Sequence, residues 1–197
     1  LTPSQKELVY YLSEAALCGR DITFAQNYKH NLLIRKTLDA IVEGYGGDRG
    51  DPRWQAFMVY VKRVWFANGI HHDYSSDKLE PGFEAGYFAA LIRGTEAAKL
   101  PLADGRTVDG LVDFLTPVLF DPSVDAKKVS QDSTKDLVLG SAVNFYEGVT
   151  QAEVEEFYSR LARKDDPAPV SYGLNSRLVK KNGKIVEEVA SIDGLYG

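Results

Sequence analysis

The chain has 197 residues, enough for one domain or for a large piece of a bigger protein. Apolar residues make up 44% and charged residues 26%, which excludes a disordered or collagen-like chain. Net charge is −5, so a nucleic-acid partner, which needs a basic surface, is not expected.

The longest apolar run is Tyr87–Ile92, far short of the ~20 residues of a membrane span, and no signal peptide is visible. Cys18 has no second cysteine to bridge, and no N-glycosylation sequon occurs. Both fit a reducing compartment. The expected location is the cytoplasm, with the periplasm left open because Leu1 is not an initiator Met. The apolar end, Leu195-Tyr196-Gly197, reads as a fragment boundary.

Thr2-Pro3-Ser4-Gln5 is a capping box with Pro at the first helical position. Leu8, Val9, Leu12, Ala15 and Ala16 follow at helical spacing, with Gly19 as the stop. A second helix is predicted over His30–Tyr45, with Ile34, Leu38, Ile41, Val42 and Tyr45 on one face and Gly46-Gly47 ending it. Asp51-Pro52 opens a third, whose Trp54, Phe57, Met58, Val61, Val64 and Trp65 form a wide aromatic face expected to be buried. Asn68-Gly69 ends it.

Further helices are predicted near Gly82–Arg93, Val108–Leu119 and Ser133–Tyr146, and from the capping box Thr150–Glu153 through Leu161. The pattern then changes. Pro169–Val179 alternates as extended chain, Asn182-Gly183 suits a type I′ turn, and Ile185, Val186 and Val189 supply the return strand. The fold class read from this is α+β and predominantly α-helical: a helical body over 1–166, then a β-hairpin segment over 167–197, in one unit.

Most chemical motifs have a simpler structural explanation. His71 and His72 carry zinc-ligand atoms, but adjacent side chains point apart, and a polar loop capping the aromatic helix is expected. In Arg49-Gly50-Asp51 the aspartate is the N-cap before Pro52, not part of an adhesion site. Glu153, Glu155 and Glu156 suit the positive end of a helix. Cys18 lacks a neighbouring base and reads as a small buried hydrophobe, which disfavours a thiol enzyme.

Gly173-Leu174-Asn175 is different. A strand glycine allows close backbone approach, and an asparagine two residues on offers a donor and an acceptor on the same face. Two readings stand: a hairpin with a bulge at Gly173, or an edge that receives an extended peptide.

Three stretches carry a longer resemblance: Gln5–Leu12, Val61–His72 and Pro169–Val179. They resemble the bacterial branch of dipeptidyl peptidase III, a family of zinc metallopeptidases, and the resemblance spans essentially the whole chain but only the N-terminal part of that longer family. It implies a two-lobed enzyme that releases dipeptides from the N-termini of short peptides. The family's zinc sits on HExxGH and EExxAE-type motifs and its catalytic tyrosine in a Glu-Ser-Tyr-type stretch, none of which occurs here. Catalytic and metal sites are therefore expected to be absent from this chain, with zinc held by the rest of the parent protein.

What carries over is the substrate strand. Gly173 and Asn175 match its Gly-aliphatic-Asn signature, whereas Ser176-Arg177-Leu178 departs from the eukaryotic continuation. The expected partners are an oligopeptide and a catalytic lobe. Self-association is also expected, through Leu195, Tyr196 and the Ile185, Val186 and Val189 face. The alternative function is a stand-alone, non-catalytic helical peptide-binding or scaffold module.

Overall fold

The computed structural model describes residues 1–161 and 176–190. It is α+β and mainly helical, with a small sheet at its C-terminal end. The helices are α1 (Pro3–Cys18), α2 (Arg20–Asn27), α3 (Asn31–Gly44), α4 (Pro52–Ala67), α5 (Ala85–Gly94), α6 (Val108–Phe120) and α7 (Gln151–Ser159). Two single 3-10 turns, Ala97–Lys99 and Ala103–Gly105, join α5 to α6.

The starts follow local chemistry. Thr2 and Thr150 each close a capping box on the third helical residue, and the Asp51 carboxylate accepts from the Arg53 amide ahead of α4. α4 ends on Asn68 at φ 51°, a left-handed cap.

The core lies among α2–α6. Ile34, Leu38 and Ile41 of α3 meet Trp54, Phe57, Val61 and Val64 of α4, with Phe88, Ile92, Leu111 and Leu115 completing the cluster. On the expected aromatic face, Trp54, Phe57 and Val61 are buried. Met58 and Trp65 are only half-buried, because they sit at the rim of that face. The Trp65 indole N–H donates to Asp39 at 2.8 Å, which satisfies its polar edge.

Strands β1 (Tyr146–Glu147), β2 (Ser176–Lys181) and β3 (Lys184–Val189) form one sheet in that order. β2 and β3 are the expected antiparallel hairpin, and its turn has Asn182 at φ 50° and Gly183 at φ 76°, the two positive angles of type I′. β1 lies parallel to β2, paired at Tyr146–Leu178 and Glu147–Val179. A separate small cluster, Val149, Val154 and Leu178, seats the sheet on α7.

Two expectations need correction, the Ser133–Tyr146 helix and the burial of Cys18, and two features were not foreseen. Ser133–Tyr146 is not a helix: the Asp136 carboxylate accepts from the Val138 and Leu139 amides and Asp132 from Thr134, so side chains compete with the helical ladder. α2 was not anticipated, because Gly19 ends α1 and at once precedes another helix. No residue of α1 is buried, and Leu8, Val9 and Leu12 are at least half exposed, since α1 packs only slightly, chiefly against α2. Cys18 is exposed for the same reason.

Candidate functional site: an aromatic, cationic cleft beside a sheet edge

Gly173 and Asn175 lie outside the described residues, as do Leu195 and Tyr196. Their neighbourhood is described in part. β2 begins at Ser176, and β1 covers that edge only at Leu178 and Val179. Among the described residues no strand lies beside Ser176 on the β1 side. Arg177 braces the hairpin there, at 3.0 Å from Glu188 and 2.9 Å from Glu147. On the return strand Val186 and Val189 are exposed and Ile185 is half-buried.

A second feature lies at the C-terminal end of α4. Lys62 and Phe66 are four residues apart and therefore share one helix face, as do Arg63 and Ala67. Lys62, Arg63 and Phe66 are exposed, while Ala67 belongs to the core. Across from α4 stands the loop His71–Lys78, and the two enclose a cleft of about 420 Å³ lined by Lys62, Arg63, Phe66, His72, Tyr74 and Leu79. Its size falls within the ~300–1,000 Å³ of small-ligand sites. Phe66 is 83% exposed and Tyr74 93% exposed, values that leave both rings without protein cover.

The loop is held firmly. The His72 amide donates to the Asp77 carbonyl at 2.8 Å and the Leu79 amide to Ile70 at 2.8 Å. The Lys128 amide donates to Ser76, and the Lys128 ammonium pairs with Asp73 at 3.2 Å. Lys127 pairs with Asp77. His72 Nδ1 accepts from the Tyr74 and Ser75 amides, so the proton of the neutral ring sits on Nε2. That N–H has no protein acceptor among the described residues.

His71 points the other way. It is buried, its Nε2 lies 2.7 Å from the Asp125 carbonyl, and its Nδ1 has no partner. Burial pushes its pKa down. The Tyr28 hydroxyl donates to the Asp125 carboxylate at 2.5 Å, and burial together with that contact pushes the phenol far above its ordinary range. Lys78 Nζ donates to the carbonyls of Val118, Asp121 and Val124, which fixes the end of α6. These groups hold the 121–128 segment against the body.

The two histidines therefore diverge, as adjacency implied. Among the described residues no three His, Cys, Asp or Glu side chains come together as metal ligands. Sequence reasoning placed His71–His72 in a polar loop but missed Phe66 and Tyr74. Phe66 could have been found, because it falls off the inward stripe of α4; Tyr74 has no local signal.

A comparison with protein-family models finds no match, and neither does a comparison with curated proteins. No helix among the described residues is long and apolar enough to cross a membrane.

Proposed function

We propose that this chain is the N-terminal part of a zinc-dependent dipeptidyl peptidase of the dipeptidyl peptidase III kind, and that its role there is to bind the peptide. The support is the set of long stretches in Gln5–Leu12, Val61–His72 and Pro169–Val179. The structural observation in its favour is the sheet edge: among the described residues β1 pairs with β2 only at Leu178 and Val179, which leaves Ser176 and Arg177 uncovered on that side.

In this reading an extended peptide adds to that edge. Main-chain hydrogen bonds give affinity with little sequence preference, and the Asn175 amide fixes the register. Gly173 carries no side chain to obstruct the incoming backbone. Zinc belongs to the remainder of the protein, where it would polarise the scissile carbonyl and activate water. This chain would contribute alignment of the substrate.

A second reading is a peptide-binding module with no catalytic partner. The helical core, whose buried members among the described residues run from Phe24 to Leu119, favours it. The two separate on the full reading frame. Its product, and the 197-residue chain alongside it, are assayed for dipeptide release from a pentapeptide with a free N-terminus, with and without chelator. The peptidase reading expects release by the complete protein alone, abolished by the chelator, with peptide binding by both. Binding without release by either supports the module. Absence of peptide binding by both overturns both readings.

A further inference from the structure

We infer that the cleft between α4 and the His72–Tyr74 turn is a binding site for an aromatic carboxylate, the chemistry of a peptide C-terminus ending in Phe or Tyr. This inference stands apart from the peptidase reading, because every residue it uses is in this chain.

The ring subsite is the pair of uncovered aromatics. Phe66 and Tyr74 both line the cleft, one from a helix and one from a loop pinned by Asp73–Lys128 and Asp77–Lys127. Two large rings, 83% and 93% exposed beside an apolar cleft, offer apolar surface that a partner could cover. Rings of this kind pack by offset or edge-to-face contact, which suits an aromatic guest.

The anion subsite is cationic. Lys62 and Arg63 line the same cleft and pair with no carboxylate among the described residues. The one acid on the lining, Asp73, is taken up by Lys128. An arginine fork donates to both oxygens of a carboxylate, and the His72 Nε2–H adds a further donor. Ring and charge together set the ligand: a bare hydrocarbon leaves the cations unused, and a small anion leaves the rings uncovered.

The test uses the 197-residue chain labelled with ¹⁵N and titrated with N-acetylphenylalanine, its amide, and N-acetylalanine. The expected result is amide shifts confined to residues 62–67 and 72–79, with N-acetylphenylalanine binding at least tenfold tighter than either of the others. Arg63→Gln should remove the preference over the amide, and Phe66→Ser the preference over N-acetylalanine. Both positions are exposed, so thermal midpoints should not move. Titration with Gly-Gly-Gly-Phe identifies the source: tighter binding than N-acetylphenylalanine assigns the site to a peptide terminus, equal binding to a free aromatic acid. Equal affinity for all three acetylated probes, or shifts outside the cleft, would overturn the proposal.

Discussion

The side-chain amide of Asn31 occupies the space where a Cβ on residue 69 would stand. A Cβ built on Gly69 would come within 2.1 Å of Asn31 Nδ2, at a φ of +148°. Asn31 is buried, and its amide donates to the carbonyls of Phe24 at 3.1 Å and Asn68 at 3.4 Å. Its oxygen accepts from the Ile70 amide at 3.2 Å. One side chain thus ties α2, the start of α3 and the end of α4 into one joint.

Gly69→Ala should destabilise the chain by about 1–3 kcal/mol, from strain in that backbone region and displacement of Asn31. Asn31→Ala should cost a similar amount, about 1–3 kcal/mol for each buried polar group left unpaired. Because both act through one contact, the double variant should lose less than the two single losses combined. Urea unfolding of the three variants measures this, and full additivity would contradict the shared joint.

Acid should weaken the fold through His71. Burial lowers its folded-state pKa below the ordinary 6.5, with the Asp125 carbonyl contact, Lys78, Lys128 and the Asp125 carboxylate as smaller influences. His30, against Tyr28 and Phe114, is lowered for the same reason, with Lys29 adding to it. The unfolded chain therefore takes up protons first. Stability is full above about pH 6.5 and is lost as pH falls through the folded-state values. Urea midpoints should drop between pH 7.5 and 5, before most carboxylates titrate. The slope should shrink in His71→Gln. An unchanged slope in that variant would assign the loss to other groups.

Truncations should separate α1 from the body. Phe57 is fully buried in the helical core, so Phe57→Ala should cost about 3–5 kcal/mol. Leu8→Ala and Leu12→Ala sit on the unpacked helix and should each stay within about 0.5 kcal/mol. Thermal unfolding of the 197-residue chain reads the contrast, and a Leu8 or Leu12 effect of core size would mean that α1 is covered in solution.

If the substrate-strand reading holds, Asn175→Ala in the complete protein should weaken peptide binding by about 0.5–3 kcal/mol, the net value of one or two hydrogen bonds. Gly173→Val should weaken it more, because a branched side chain would meet the incoming backbone. Metal content should stay constant, since the ligands would lie elsewhere. Calorimetric titration with a substrate-length peptide measures the binding, and wild-type affinity in both variants would dismiss the strand.

Local chemistry by itself determined three of the seven helix starts and the hairpin turn. The Thr2 and Thr150 boxes, the Asp51-Pro52 start and the Asn182-Gly183 turn each act within a few residues, so their spacing is sufficient to place them. The inward faces of α3 and α4 were legible too, because a helix repeats every ~3.6 residues and must hide one side. The same rule misjudged α1: an apolar stripe states that a face wants cover, not that a neighbour is there to supply it. Only the tertiary structure decided that His71 turns into the body toward Asp125 while His72 turns out toward Tyr74. It alone brought Tyr28 to Asp125 across 97 residues of chain, β1 to the side of β2, and Tyr74 to the same cleft as Phe66. Those pairings depend on how separate helices and loops dock, and docking is set by the whole packed core rather than by any window of sequence.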